Sequence, residues 1–193
     1  MQNICVFCGS KKGSSPIYEQ SAIEFAQVMV KHGLDLVYGA GRVGIMGIIG
    51  NEVLQQGGKA YGYIPSFLKD KEVAHLGLTE LVEVETMHQR KALMAEKADA
   101  FVALPGGMGT MDELCEIITW AQLRLHNKPI GILNVDGYYD HLIQLIDHMV
   151  AQGFVIQKHR ELILVSDDAE DLIEQLRNFH VDKELPSDLL NKA

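Results

Sequence analysis

The chain is poor in cysteine. Three residues, Cys5, Cys8 and Cys115, are too few and of the wrong parity for a disulfide framework, so stability has to come from a packed core in a reducing compartment. Tryptophan occurs once, and no apolar run approaches the ~20 residues that span a bilayer, which argues against a membrane partner. Basic residues are the minority, 17 against 26 acids, and they are scattered, which argues against nucleic acid as a partner. Neither an H-E-x-x-H pattern nor a Cys/His cluster accompanies the eight dispersed histidines, so no metal is expected, and His141 and His148 merely share a helical face. No repeat, low-complexity tract or linker divides the chain. The opening "MQNICVFCGS" lacks a charged leader and a small-residue cleavage site, and a cytoplasmic location is expected.

What is present is an ordinary globular mixture, 47% hydrophobic and 22% charged, with enough length for one domain. Short β-rich runs ("NICVFC", "LDLVYG", "KAYGYIP", "ELVEVE", "DAFVALP", "KPIGILN", "LILVS") alternate with amphipathic segments near residues 16–32, 45–56, 87–98, 110–125, 138–152 and 168–178. That alternation is the pattern of βα units, so the expected fold is α/β, a doubly wound, mainly parallel sheet in a single domain over residues 1–180, followed by a polar tail at 181–193. The C-x-x-C formed by Cys5 and Cys8 sits in a strand, which points the two thiols to opposite faces and favours core packing over redox chemistry.

In open α/β sheets ligands collect beyond the carboxyl ends of the strands. Three loops there are rich in glycine or small residues. "CGSKKGSSP" lacks the Gly-Lys-Ser/Thr ending of a triphosphate loop, and its Gly9, Ser10, Ser14 and Ser15 suit either a ligand or the cap of the helix at Pro16. "YGAGRVGIMG" spells G-x-G-x-x-G at Gly39, Gly41 and Gly44, yet it follows the second strand and no acid closes the next one, which disfavours a dinucleotide cofactor. Gly41 and Gly44 fit close approach of a smaller phosphate-bearing ligand, or tight packing of helix on strand. The segment 66–78 is longer than a usual βα loop.

The third loop, "LPGGMGTMDELCEI" over residues 104–117, places glycines just before Asp112, Glu113 and Glu116. Thr110 and Glu113 can make a T-x-x-E capping box, which leaves Gly106, Gly107 and Gly109 and the surplus acids unexplained. Amides bared at a helix start attract a phosphate, while a carboxylate some 6 Å away repels it by about 3 kcal/mol at an effective dielectric of 20. The acid therefore faces something else. Thr110 to Glu113 climbs about 4.5 Å along a helix, comparable to the span from a 5-phosphate to the anomeric carbon of ribose. A nucleoside monophosphate would put its phosphate on the glycines and its sugar beside Glu113, whose charge would stabilise an oxocarbenium ion or activate water. In "MHQRKALM" Met87, Lys91 and Met94 share a helix side and Arg90 lies near the same end, either solvated or binding an anion, while His88 alone supports nothing. Met46, Met87 and Met108 occur near these loops and suit a core or an apolar wall. Trp120 in the helix continuation "ITWAQLRLH" fits the core or a subunit contact.

"PGGMGTMDE" resembles the P-G-G-x-G-T-x-x-E motif of the LOG (Lonely Guy) family, cytokinin riboside 5'-monophosphate phosphoribohydrolases often labelled lysine decarboxylases. The likeness continues through "MHQRKALM", "YGAGRVGIMG", "VFCGS" and "ITWAQLRLHNKPIGILNVDGYYDHL", over about residues 3–180. It implies a modified Rossmann fold, a homodimer with sites near the subunit interface, and hydrolysis of the N-glycosidic bond of an N6-substituted AMP without a cofactor. It further implies Arg90 and Glu113 as the catalytic pair, and Lys91, Gly106, Gly107, Gly109 and Thr110 as contacts to the substrate phosphate. Thr119 and Glu72 match family binding positions. The chain departs at Ala40, Arg42 and Ile45, where the family commonly has G-G-G followed by Gly-Leu-Met-Gly. The same fold would also allow a non-catalytic nucleotide or molybdenum-cofactor carrier, and a pyridoxal-phosphate decarboxylase is disfavoured because no complete site for that group can be read.

Overall fold

The computed structural model describes residues 1–69 and 73–180. Seven strands form one sheet: β1 (Asn3–Phe7), β2 (Asp35–Tyr38), β3 (Ala60–Pro65), β4 (Glu80–Val84), β5 (Ala100–Ala103), β6 (Ile130–Leu133) and β7 (Ile163–Ser166). Their order is β4-β3-β2-β1-β5-β6-β7, and every pairing is parallel, with Val6 beside Val102 and Cys5 beside Val37. The sheet is thus wholly parallel rather than mainly so. Strands buried on both faces read as continuous apolar runs, which is why "NICVF" and "AFVA" could be placed from sequence. The polar tail expected at 181–193 lies outside the described residues.

Helices α1 (Pro16–Lys31), α2 (Gly44–Gln55) and α7 (Ala169–Asn178) share one apolar core that includes Ile4, Phe25, Met29, Leu36, Ile49 and Leu172. The other face carries α3 (Met87–Lys97), α4 (Met108–Gln122) and α5 (Asp140–Ala151) on Phe7, Met94, Phe101, Leu114 and Ile117. Each such fully buried side chain contributes about 1.5–3 kcal/mol of transfer free energy. Cys5 belongs to the second core and Cys8 to the first, so the C-x-x-C pair straddles the sheet, as the strand alternation requires. A short α6 (Gln157–Arg160) follows α5.

Local chemistry sets the helix starts. Ser15 caps α1, its hydroxyl accepting the amide of Ile17, and Pro16 takes the first helical position; of the two readings for that serine, the cap holds. Thr86 caps α3 by accepting the amide of Gln89 at 3.1 Å, and the Gln89 side chain accepts from Glu85 N–H in return. The capping box expected at Thr110 and Glu113 is absent: α4 begins two residues earlier, at Met108, with Gly107 as its cap and no acid in its first turn. Helix α4 also stops at Gln122, and Arg124 turns the chain with φ 59°, so residues 123–125 do not continue it.

Candidate active site

The order of strands reverses between β1 and β5, and the loops leaving these two strands form the floor of the site. They are stitched together: Gly9 N–H donates to Pro105 O at 3.1 Å, and Met46 N–H from α2 donates to Gly9 O at 3.2 Å. Two cavities open there. The larger, about 370 Å³, is walled by Gly9, Ser10, Lys11, Lys12, Tyr18, Gly106, Gly107 and Tyr138 among others. The smaller, about 190 Å³, is bounded by Cys8, Ser10, Met46, Met87, Arg90, Gly107, Met108, Gly109, Thr110, Asp112 and Glu113. Ser10 and Gly107 border both.

The glycines of the third loop have different reasons. A side chain at Gly106 would lie 2.1 Å from the Thr110 hydroxyl, so close packing requires that glycine. At Gly107 and Gly109 a side chain would meet nothing within 4 Å, and neither has a positive φ. Gly109 even sits inside α4, where glycine costs up to ~1 kcal/mol relative to alanine. Packing accounts for neither; Gly107 serves as the cap of α4, and Gly109 has no such role. The amides of Gly106, Gly107, Met108 and Gly109 donate to no acceptor among the described residues and cluster at the positive end of the α4 dipole.

Arg90 is 4% exposed, and its Nη2 donates to Gly39 O at 3.0 Å. A Cβ on Gly39 would stand 1.7 Å from that nitrogen, so the guanidinium fills the space a side chain would take. A charge so buried needs compensation close by, and Glu113 lines the same cavity. Burial pushes the Cys8 thiol at the cavity wall far up, with Glu113 adding to the shift and Arg90 opposing it, so Cys8 stays a neutral thiol. Helix α4 carries three acids in two settings. Lys91 binds Asp112 at 3.1 Å and Glu116 at 3.0 Å, while Glu113, with Asp112 beside it, lines the smaller cavity. Met46, Met87 and Met108 all reach the smaller cavity and form the apolar wall.

The structure therefore brings together Gly9, Ser10, Arg90, Gly106, Gly107, Gly109, Thr110 and Glu113. It does not bring Lys91, Thr119, Gly41 or Gly44 to either cavity. Lys91 is held in its two ion pairs, and the exposed Thr119 donates to Cys115 O at 2.8 Å. Gly41 bridges to Ala74, and Gly44 packs on the backbone of Ser10 and Lys11, supporting the loop after β1 from behind. Glu72 lies outside the described residues, although its neighbours Val73 and His75 pair with Arg42 and Ala40 of the second glycine loop. Sequence reasoning missed Tyr18 and Tyr138; the adjacent tyrosines in "NVDGYYDHL" were the available signal for Tyr138.

The family model described as "Possible lysine decarboxylase" matches residues 46–176. A cytokinin riboside 5'-monophosphate phosphoribohydrolase of Arabidopsis thaliana is 47% identical over 178 residues, covering 92% of this chain and 82% of that protein. A probable enzyme of the same name from Oryza sativa subsp. japonica is also 47% identical, covering 92% of this chain and 72% of its own. The chain belongs to the LOG family. Among solved structures, the molybdenum cofactor binding protein of Rippkaea orientalis superposes with a TM-score of 0.69 over 91% of this chain and 95% of its own, at 19% identity. The molybdenum cofactor carrier protein of Chlamydomonas reinhardtii gives 0.70 over 92% and 99% at 18% identity; at such identities the likeness is one of fold. Ala40 takes φ 60°, a left-handed conformation that a residue with a side chain rarely adopts. Among the described residues no helix is long and apolar enough to cross a membrane, and no three His, Cys, Asp or Glu side chains group to hold a metal ion.

Proposed function

We propose that the chain is a nucleoside 5'-monophosphate phosphoribohydrolase that releases an adenine-type base, N6-substituted as in cytokinin activation, together with ribose 5-phosphate. The observation that carries this reading is Gly109, a helical glycine with no packing or conformational need, beside a cavity that also holds Arg90 and Glu113. The phosphate lies on the amides of residues 106–109, with Gly9, Ser10 and Thr110 around it. Ribose extends toward Glu113, and the methionines face the base and its substituent. Water adds to C1', the bond from C1' to the base nitrogen breaks, and that nitrogen leaves with a proton. Glu113 stabilises the oxocarbenium ion and orients the water; Arg90 fixes the carboxylate.

The names of the relatives support this substrate class, and their 47% identity outweighs the 18–19% identity to cofactor carriers. The working form is a cytoplasmic homodimer with no nucleic-acid partner, in keeping with the net charge of -9. The test is incubation with AMP and with N6-isopentenyl-AMP, followed by chromatography, with the free nucleosides as controls. Base released from the monophosphates alone supports the reading. Nucleotide bound and recovered intact would make the protein a carrier instead.

A further inference from the structure

The loop after β6 reaches over the third glycine loop, and its two tyrosines do not sit there passively. Tyr139 is 2% exposed and its hydroxyl donates to Leu104 O at 2.7 Å. Tyr138 is 41% exposed, and its hydroxyl donates to Gly106 O at 2.5 Å. Pro105 O, between them, accepts from Gly9 N–H at 3.1 Å. Three consecutive carbonyls are thus each held by a protein donor, while the amides that follow donate to no acceptor among the described residues. In a trans peptide the carbonyl and the next N–H point in opposite directions. Holding Gly106 O toward Tyr138 therefore turns Gly107 N–H away from Tyr138.

The turn that presents the tyrosines is itself fixed. Asn134 accepts Tyr139 N–H at 2.7 Å and donates to Asp140 at 2.7 Å, while Asp136 takes φ 51° and Gly137 φ 69°. Edge-to-face contacts of Tyr138 with Tyr18 at 5.7 Å and with Tyr139 at 5.0 Å hold the ring in place.

We propose that Tyr138 is a positioning residue for the substrate phosphate: its hydroxyl holds the Gly106 carbonyl so that the amides of the glycine loop face the phosphate and no carbonyl oxygen does. This rests on the reading of that loop as the phosphate site. The residue acts through the loop, its proton being committed to Gly106 O. The consequence is confined to ligands that carry the monoester.

The test is Tyr138→Phe, which removes one hydrogen bond from a partly exposed ring and keeps its stacking, so folding is checked by an unchanged melting curve. Ribose 5-phosphate affinity by calorimetry should fall about twofold to tenfold, the range for one hydrogen bond. KM for the nucleoside monophosphate should rise by the same factor with kcat nearly unchanged, while inhibition by free adenine should not move. Equal ribose 5-phosphate affinity in the two proteins overturns the positioning role, and so does an equal loss of adenine affinity. Should the variant melt early, Tyr18→Leu, which removes the edge-to-face contact that holds the Tyr138 ring, serves as the second probe, and it should weaken ribose 5-phosphate and not adenine; equal ribose 5-phosphate affinity then overturns the role. If the unmodified protein binds no ribose 5-phosphate, it is the phosphate-site reading itself that fails.

Discussion

Replacing Gly109 by alanine should make the protein more stable and a worse enzyme. Gly109 lies in the first turn of α4, and a methyl there meets nothing within 4 Å. Filling a helical position with alanine gains about 0.5–1 kcal/mol through backbone entropy, which for a chain of this size raises Tm by roughly 1–4 °C. Helical Cα–Cβ bonds tilt toward the N-terminus, so the new methyl leans over the amides of residues 106–109, where the phosphate is proposed to sit. Losing one hydrogen bond to a charged group costs about 1.5–3 kcal/mol, or roughly tenfold to a hundredfold in kcat/KM. Scanning calorimetry and a base-release assay on the same preparation read both quantities. A raised Tm with unchanged kcat/KM would refute the claim that a ligand approaches this helix end. A lowered Tm would show that the glycine is structural after all.

Glu113→Gln should reduce kcat about a thousandfold, since a unit charge some 4 Å from a developing cation is worth about 4 kcal/mol at an effective dielectric of 20. The variant should still fold, with a Tm lowered by several degrees because glutamine no longer compensates the buried Arg90; an active variant contradicts the assignment. Gly39→Ala should leave the fold intact by circular dichroism yet cut kcat by at least about a hundredfold, because the new methyl takes the place of the flexible Arg90 tip; full activity would show that Arg90 need not stand there. Stability should fall on acidification through two histidines, one buried and one half-buried. Desolvation lowers His75 and His126, and both ring nitrogens of each are engaged in the neutral form, Nδ1 accepting from Gly77 and from Lys128 respectively. With folded values depressed, their contribution is complete above the unfolded value of about 6.5 and is lost as pH falls through the folded ones; a His126→Gln variant should show a flatter Tm profile between about pH 7 and 5, and an equally steep one counts against this.

The sheet was legible because strands buried on both faces are written as unbroken apolar runs, and "NICVF", "DLVY" and "AFVA" could hardly be anything else. The third glycine loop and Glu113 were legible from their excess: more glycine and more acid than a cap requires. The start of α4 was not. Thr110 looks like a cap by residue type, but the cap is Gly107, which offers no side chain to read. The surplus acids had an answer that only tertiary contact supplies, namely Lys91 on the neighbouring helix. For the same reason the expected phosphate role of Lys91 could not be weighed from spacing along one helix. The clamp by Tyr138 and Tyr139 joins residues 32 and 35 positions from their partners, beyond the reach of any local pattern.

The central claim is geometric: a monoester on the amides of residues 106–109 and a carboxylate at the anomeric carbon. A crystal structure with ribose 5-phosphate measures it directly. The account predicts phosphate oxygens within hydrogen-bond distance of the Gly107 and Gly109 amides, and a Glu113 oxygen within about 3.5 Å of C1' or of a water poised beneath it. A sugar lying across the larger cavity with C1' turned away from Glu113, or a phosphate held by Lys11 and Lys12 instead of the glycine loop, would contradict it.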